Sequence, residues 1–136
     1  MKFRLLARTC VAFLVLIPAT HLVSACTNGP APDPGKRDTA VSSVMHALNE
    51  QDHAKLVTLA QPGPQTADPY SKLLLSEWAG VADSGYTASY SSDITPDVVA
   101  VRVATTDSSG SPAEVEFSLR WNDKDWVLAV GPDTKL

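Results

Sequence analysis

From Tyr86 onward the chain alternates apolar and polar residues with a period of two, in four runs cut by three turn-forming segments. The runs are Tyr86–Ser92, Asp97–Thr105, Ala113–Trp121 and Asp125–Gly131. Between them lie Asp93-Ile94-Thr95-Pro96, Asp107-Ser108-Ser109-Gly110-Ser111-Pro112 and Asn122-Asp123-Lys124, all rich in residues that favour turns. This spacing predicts a four-stranded antiparallel meander. Closing the last hairpin puts Trp121 opposite Trp126, Leu119 opposite Leu128 and Phe117 opposite Val130. Closing the one before it puts Val103, Val101 and Val99 opposite Val115, Phe117 and Leu119. The first hairpin adds Tyr86, Ala88 and Tyr90 to the same side. Three separately placed turns thus agree on one apolar face, and a one-residue slip would destroy that agreement. The other face carries Thr87, Ser89, Ser91, Arg102, Glu114, Glu116, Ser118 and Arg120, with Arg102 facing Glu116 across the strands.

A sheet with one buried face needs a cover, and the preceding residues supply it. Ala40, Val41, Val44, Met45, Ala47 and Leu48 recur at helical spacing after Asp38, a good N-cap. His46 lies opposite that stripe and should face water. A second short helix should start around Asp52, with Leu56, Val57 and Ala60 inward, and Pro62-Gly63-Pro64 should stop it. Asp68-Pro69 reads as the start of a third, carrying Tyr70, Leu73, Leu74, Trp78 and Val81, with Gly85 at its exit. The expected class is α+β: two to three N-terminal helices packed on one face of the meander, in a domain spanning 38–136.

The N-terminus is of another kind. Lys2, Arg4 and Arg8 precede the apolar run Val11-Ala12-Phe13-Leu14-Val15-Leu16-Ile17, which Pro18 and His21 interrupt. This is the layout of a secretory signal peptide over residues 1–25, and the run is shorter than the roughly 20 apolar residues of a membrane span. Val23-Ser24-Ala25-Cys26 resembles a bacterial lipoprotein lipobox. The resemblance implies cleavage before Cys26, a diacylglyceryl group on its thiol and further acylation such as palmitate. The protein would then be held on the extracytoplasmic face of the cell membrane by lipid alone, since two acyl chains suffice for stable anchoring. An uncleaved anchor helix, or an ordinary signal peptide with a chance cysteine, are the alternatives. Residues 26–37 follow as the lipidated cysteine and a tether rich in proline and glycine, reaching on the order of 30 Å if extended.

Cleavage changes the charge and cysteine arithmetic. The mature chain of 111 residues keeps 8 basic and 15 acidic residues, a formal charge of −7. That balance argues against nucleic acid as a partner and against an anionic-lipid-binding surface. Cys10 leaves with the signal peptide and Cys26 is alkylated, so the domain folds without a disulfide.

Helices followed by a meander that ends in Arg120-Trp121-Asn122-Asp123-Lys124-Asp125-Trp126-Val127-Leu128 resemble the nuclear-transport-factor-like superfamily, which includes ketosteroid isomerase. Ala47-Leu48-Asn49-Glu50-Gln51-Asp52, with Leu56, Val57 and Leu59, is similar to that group's opening helix pair. A cystatin-like arrangement is the close competitor. Residues 61–67 are too few for the small hairpin usual between the second and third helices. The resemblance implies a cavity between helices and sheet, here lined by Trp78, Tyr86, Tyr90, Val101, Phe117, Trp121 and Trp126, with His53 at its edge. The inward strand positions include neither an acid nor a histidine, whereas general acid–base chemistry needs a titratable group within hydrogen-bond reach of the substrate. The expectation is therefore a non-catalytic, lipid-anchored binding or accessory module for an envelope protein or a small apolar ligand, without cofactor or metal. An isomerase- or dehydratase-like enzyme using His53 and a cavity tyrosine is one alternative. A cavity-free structural or antigenic spacer is the other.

Overall fold

A computed structural model describes residues 29–61 and 63–130, and the side chains of all but Pro64, Asp93 and Ile94 among them. The signal-peptide reading and the lipobox with Cys26 lie outside the described residues, as does Gly131.

Helix α1 (Arg37–Asn49) buries Val41, Val44, Met45, Ala47 and Leu48, the stripe expected from spacing. It starts one residue before Asp38, because a 3₁₀ turn (Pro34–Lys36) leads into it. That turn is capped by Asp33, whose carboxylate accepts from the Gly35 N–H at 2.9 Å. Asp38 lies inside the first turn, where the helix dipole favours an acid. Helix α2 (His53–Leu59) has the expected cap: Asp52 accepts from the Lys55 N–H at 2.9 Å. Gln51, between the two helices, has a left-handed φ of 58°.

The third helix differs from expectation. Helix α3 spans Pro64–Trp78, so Pro69 falls in its interior and Asp68 is not its cap. Both prolines carry a start signal, and the earlier one prevails because the Gly63 carbonyl accepts from Thr66 N, Ala67 N and Thr66 Oγ1. At the first position Pro64 lacks only an N–H that would have no helical partner. Pro69 lacks one that the Gln65 carbonyl needs, but both residues are exposed and water can replace it. Asp68 instead pairs with Lys72 at 2.7 Å and His53 at 3.3 Å. The helix exits through Gly80 (φ 79°), not Gly85. Gly80 N–H goes to the Leu48 carbonyl at 2.9 Å, and Asn49 Nδ2 to the Val81 carbonyl at 2.8 Å, so α1 and the end of α3 are tied together.

The sheet has five strands in the order β1-β5-β4-β3-β2 and is mixed, which corrects the expectation of four antiparallel ones. Strand β1 is only Ala60–Gln61. The chain leaves α2 extended beside the free edge of the last strand and pairs parallel with it, Ala60 opposite Leu128 and Gln61 opposite Ala129. Strands β2 (Thr87–Thr95), β3 (Val98–Thr106), β4 (Pro112–Trp121) and β5 (Trp126–Ala129) form the meander. Their register is the expected one at the core positions: Val101 faces Tyr90 and Phe117, Leu119 faces Val99 and Leu128, and Trp121 faces Trp126. The first turn differs, because β2 runs on to Thr95 through the expected turn residues and the register shifts between Ser91 and Thr95, which pairs with Val98. The pairing of Phe117 with Val130 does not form, because β5 ends at Ala129 and the Val130 N–H goes to the Gln61 carbonyl. One face of β3 and β4 is buried from Val99 to Val103 and from Val115 to Trp121, and α1, α2 and α3 cover it in one hydrophobic cluster. On the wet face Arg102 reaches Glu116 at 2.6 Å and Glu114 at 3.1 Å.

Candidate functional site

The residues expected to line an internal cavity divide into two groups. Val101, Phe117, Trp121 and Trp126 are buried in the same cluster as Met45, Leu48, Leu56 and Leu74, each of the last four with no exposed surface. Trp78, Tyr86 and Tyr90 pack on the rim of that cluster, partly buried. His53 belongs to neither group. At the start of α2 it bonds to Asp68 on α3, with Nε2 3.3 Å from Oδ1 and 3.4 Å from the backbone carbonyl. Among the described residues, no hydrogen bond joins it to Tyr86 or Tyr90.

A concave surface does form at the end of the sheet where β4 turns into β5. It depends on the segment after Gly29, which does not extend away from the domain. The Trp121 indole N–H donates to the Pro30 carbonyl at 2.9 Å, and that of Trp126 to the Asp33 carbonyl at 2.7 Å. Lys36 Nζ donates to the Lys124 carbonyl at 2.8 Å, pairs with Asp125 at 3.1 Å, and lies 5.8 Å from the centre of the Trp121 ring system. Gly29 passes so close to Asp123 that a β-carbon would collide with the carboxylate. A buried indole needs an acceptor for its N–H, and a proline-rich strand offers carbonyls with few competing donors. The two Trp rings stack obliquely, 5.7 Å apart and tilted by 59°.

Two adjoining hollows flank this strand, and Pro32 and Pro96 line both. One, of about 490 Å³, lies over Trp121 and is bordered by Gly29, Pro30, Asp97 and Asp123. The other, of about 210 Å³, is bordered by Pro34, Arg37, Ser92, Val99 and Trp126. Arg37, the first residue of α1, is held between two rings, its guanidinium 5.1 Å from the centre of Tyr90 and 5.7 Å from that of Trp126. Such contacts contribute on the order of 0.5–2 kcal/mol each. Its Nε is buried without a hydrogen-bond partner, and no described carboxylate pairs with it. Asp38, its neighbour in sequence, accepts from the Tyr90 hydroxyl. Burial first, and then this bond, push the Tyr90 hydroxyl well above the ordinary tyrosine range.

Elsewhere His46 bridges two acids, Asp83 at 2.8 Å and Glu50 at 3.3 Å. The bond to Asp83, with help from Glu50, raises its pKa. Among the described residues, no group of three or more His, Cys, Asp or Glu side chains could hold a metal ion, and no helix is long and apolar enough to cross a membrane.

No protein-family model, no curated protein and no solved structure matches this chain. What it does must be read from its own residues. Of those, Lys36 and Arg37 were not legible as site residues, since they close what reads as a plain tether. The available signal was indirect: two inward tryptophans on the last hairpin, each with an N–H to place.

Proposed function

We propose that the protein is a lipid-anchored, extracytoplasmic module of a bacterial cell envelope, attached through Cys26. We further propose that it acts by binding, through the groove at the β4–β5 end of the sheet, rather than by catalysis. The observation that carries this reading is the docking of the Pro30–Lys36 segment onto Trp121 and Trp126. Pro30 follows Cys26 by four residues, which span at most about 14 Å of extended chain. An acylated Cys26 would therefore hold the groove close to the membrane, not some 30 Å from it as a free tether would.

The nature of the interior supports the same assignment. The helix–sheet interface expected to hold an apolar ligand is packed with Leu48, Leu56, Leu74, Phe117 and Leu119, while the groove at the sheet end is open. The isomerase-like alternative needs His53 beside Tyr86 or Tyr90, and His53 is bonded to Asp68. The superfamily suggested by the helix-then-meander order remains part of the proposal as an architecture, in a reduced form with β1 where the small hairpin would be.

The test is mass spectrometry of the N-terminal peptide from protein expressed in a bacterial host with its full leader. The expected result is a chain beginning at Cys26 with a diacylglyceryl adduct, and release from the membrane on Cys26→Ala. An unmodified Cys26 within a longer or differently cut chain would overturn the anchor.

A further inference from the structure

The Arg37 side of the groove has a feature that the anchored-module reading does not use. A half-buried guanidinium is expensive to leave without a counter-charge. Here Asp38 is committed to Tyr90, and Lys36 takes Asp125. Among the described residues, Arg37 meets the faces of two rings, has a buried, unpartnered Nε and forms no ion pair with a carboxylate. The described ionisable residues are distributed unevenly. Arg37 lines the smaller hollow, whereas Asp97 and Asp123 line the hollow over Trp121. The smaller hollow is therefore lined by a positive charge, by Ser92 and by the apolar Pro32, Pro34, Val99 and Trp126. At about 210 Å³ it is smaller than the roughly 300–1,000 Å³ of a drug-sized site, and suits one compact anionic group with a few carbons attached.

We propose that this hollow binds a phosphate monoester or diester, with Arg37 as its ligand and Ser92 as a second donor. Guanidinium is the cation best matched to tetrahedral oxyanions, because its N–H groups form a planar fork that pairs with two oxygens at once. Contact with the rings of Tyr90 and Trp126 restrains the guanidinium before a ligand arrives, so less side-chain entropy is lost on binding. The prolines and Trp126 that line the hollow fit the glycerol or alkyl portion of such an ester. The phosphate belongs either to a soluble ester or to a phospholipid headgroup held by this one guanidinium, since the mature chain's formal charge of −7 argues only against a broad anionic-lipid-binding surface. The headgroup source rests on the anchored-module reading, in which acylation of Cys26 brings a bilayer to this end of the sheet.

The experiment follows the side-chain Nε–Hε resonances of arginine in ¹⁵N-labelled full-length protein in detergent. The Arg37 signal is identified by its loss in Arg37→Lys. One arm adds inorganic phosphate or glycerol 3-phosphate, with sodium chloride at matched ionic strength as control. The other replaces part of a neutral detergent by phosphatidylglycerol, with a phosphate-free diacyl glycolipid as control. A saturable shift of the Arg37 resonance, with those of Arg102 and Arg120 unmoved, is expected in at least one arm. Followed instead through the indole N–H resonance of Trp126, which lines the same hollow, Arg37→Gln should weaken binding about tenfold or more, the usual loss for a hydrogen-bonded charge. Response in the soluble arm alone assigns a soluble ester, and response in the lipid arm assigns the headgroup. No saturable shift in either arm, or one reproduced by chloride, overturns the proposal. The wild-type titration decides the matter even if Arg37→Gln fails to fold. The soluble arm does not depend on Cys26, so failure of the anchor and failure of this site are separable.

Discussion

The indole N–H of Trp126 reaches the backbone carbonyl of Asp33, 93 residues earlier in the chain, at 2.7 Å. Together with the bond from Trp121 to Pro30 it makes the N-terminal segment part of the domain. Trp126→Phe keeps an aromatic ring in the core and removes the donor. We expect a loss of about 1–2 kcal/mol, from one hydrogen bond and some packing. Limited proteolysis should then cut between Gly29 and Lys36 far sooner than in the wild type. Unchanged protection of that segment would mean that the indole bond does not hold it.

Two hydroxyls in α3 are buried without a partner, Tyr70 Oη and Ser71 Oγ. Ser71 has no exposed surface, and burial pushes the Tyr70 hydroxyl up to about 12. An unsatisfied buried hydroxyl costs on the order of 1–3 kcal/mol. Ser71→Ala and Tyr70→Phe should therefore each stabilise the protein, by about 1 kcal/mol, with a midpoint shift of several degrees. Urea unfolding checks this. Destabilisation by either change would reveal a bound water that bridges the hydroxyl.

His46 couples stability to pH. Its folded pKa lies above the ordinary value near 6.5, because Asp83 and Glu50 favour the imidazolium. The folded state therefore binds the proton more tightly than the unfolded chain. The resulting stabilisation is fully present below about pH 6.5 and is lost as pH rises through the folded pKa. Chemical denaturation midpoints should fall over that interval in the wild type, and His46→Gln should flatten the fall. A profile unchanged by the substitution would assign the dependence to another group.

Gln51 and Gly80 both have positive φ, 58° and 79°, but only one is a glycine. Gln51→Gly should stabilise the turn between α1 and α2 by roughly 0.5–1 kcal/mol, since the left-handed region is strained for a residue with a β-carbon. Gly80→Ala should destabilise by about 1 kcal/mol or more through the same strain. The cost is local to the backbone and involves no clash with another segment, because the added carbon would lie 3.7 Å from Ser108 Cβ, an ordinary contact. Thermal melts of the two variants should move in opposite directions.

The sheet register was legible because each turn constrains it separately. Val101 had to face Phe117 if the β3–β4 turn closed where Asp107 and Gly110 place it, and the pairing is as expected. Asp107 indeed closes that turn through Ser109 and Ser111. Strand β1 was not legible, because two residues are too few to show a period. Its pairing depends on where α2 releases the chain. The start of α3 was ambiguous between two prolines, and the winner is decided by the Gly63 carbonyl, which has no side-chain signature. Arg37 posed the hardest case. Its significance comes from Tyr90 and Trp126, distant positions that the fold brings to either side of it.

The order of the three attachments along the N-terminal segment has a mechanical meaning. Pro30 is held by Trp121, Asp33 by Trp126, and Lys36 by Lys124 and Asp125, in the same sequence as the chain itself. Tension drawn from the N-terminal end meets these contacts one after another, as in peeling a strip, and does not load them together. The segment thus acts as a graded fuse: two indole bonds and then a lysine clamp give way before force reaches α1 and the core beneath it.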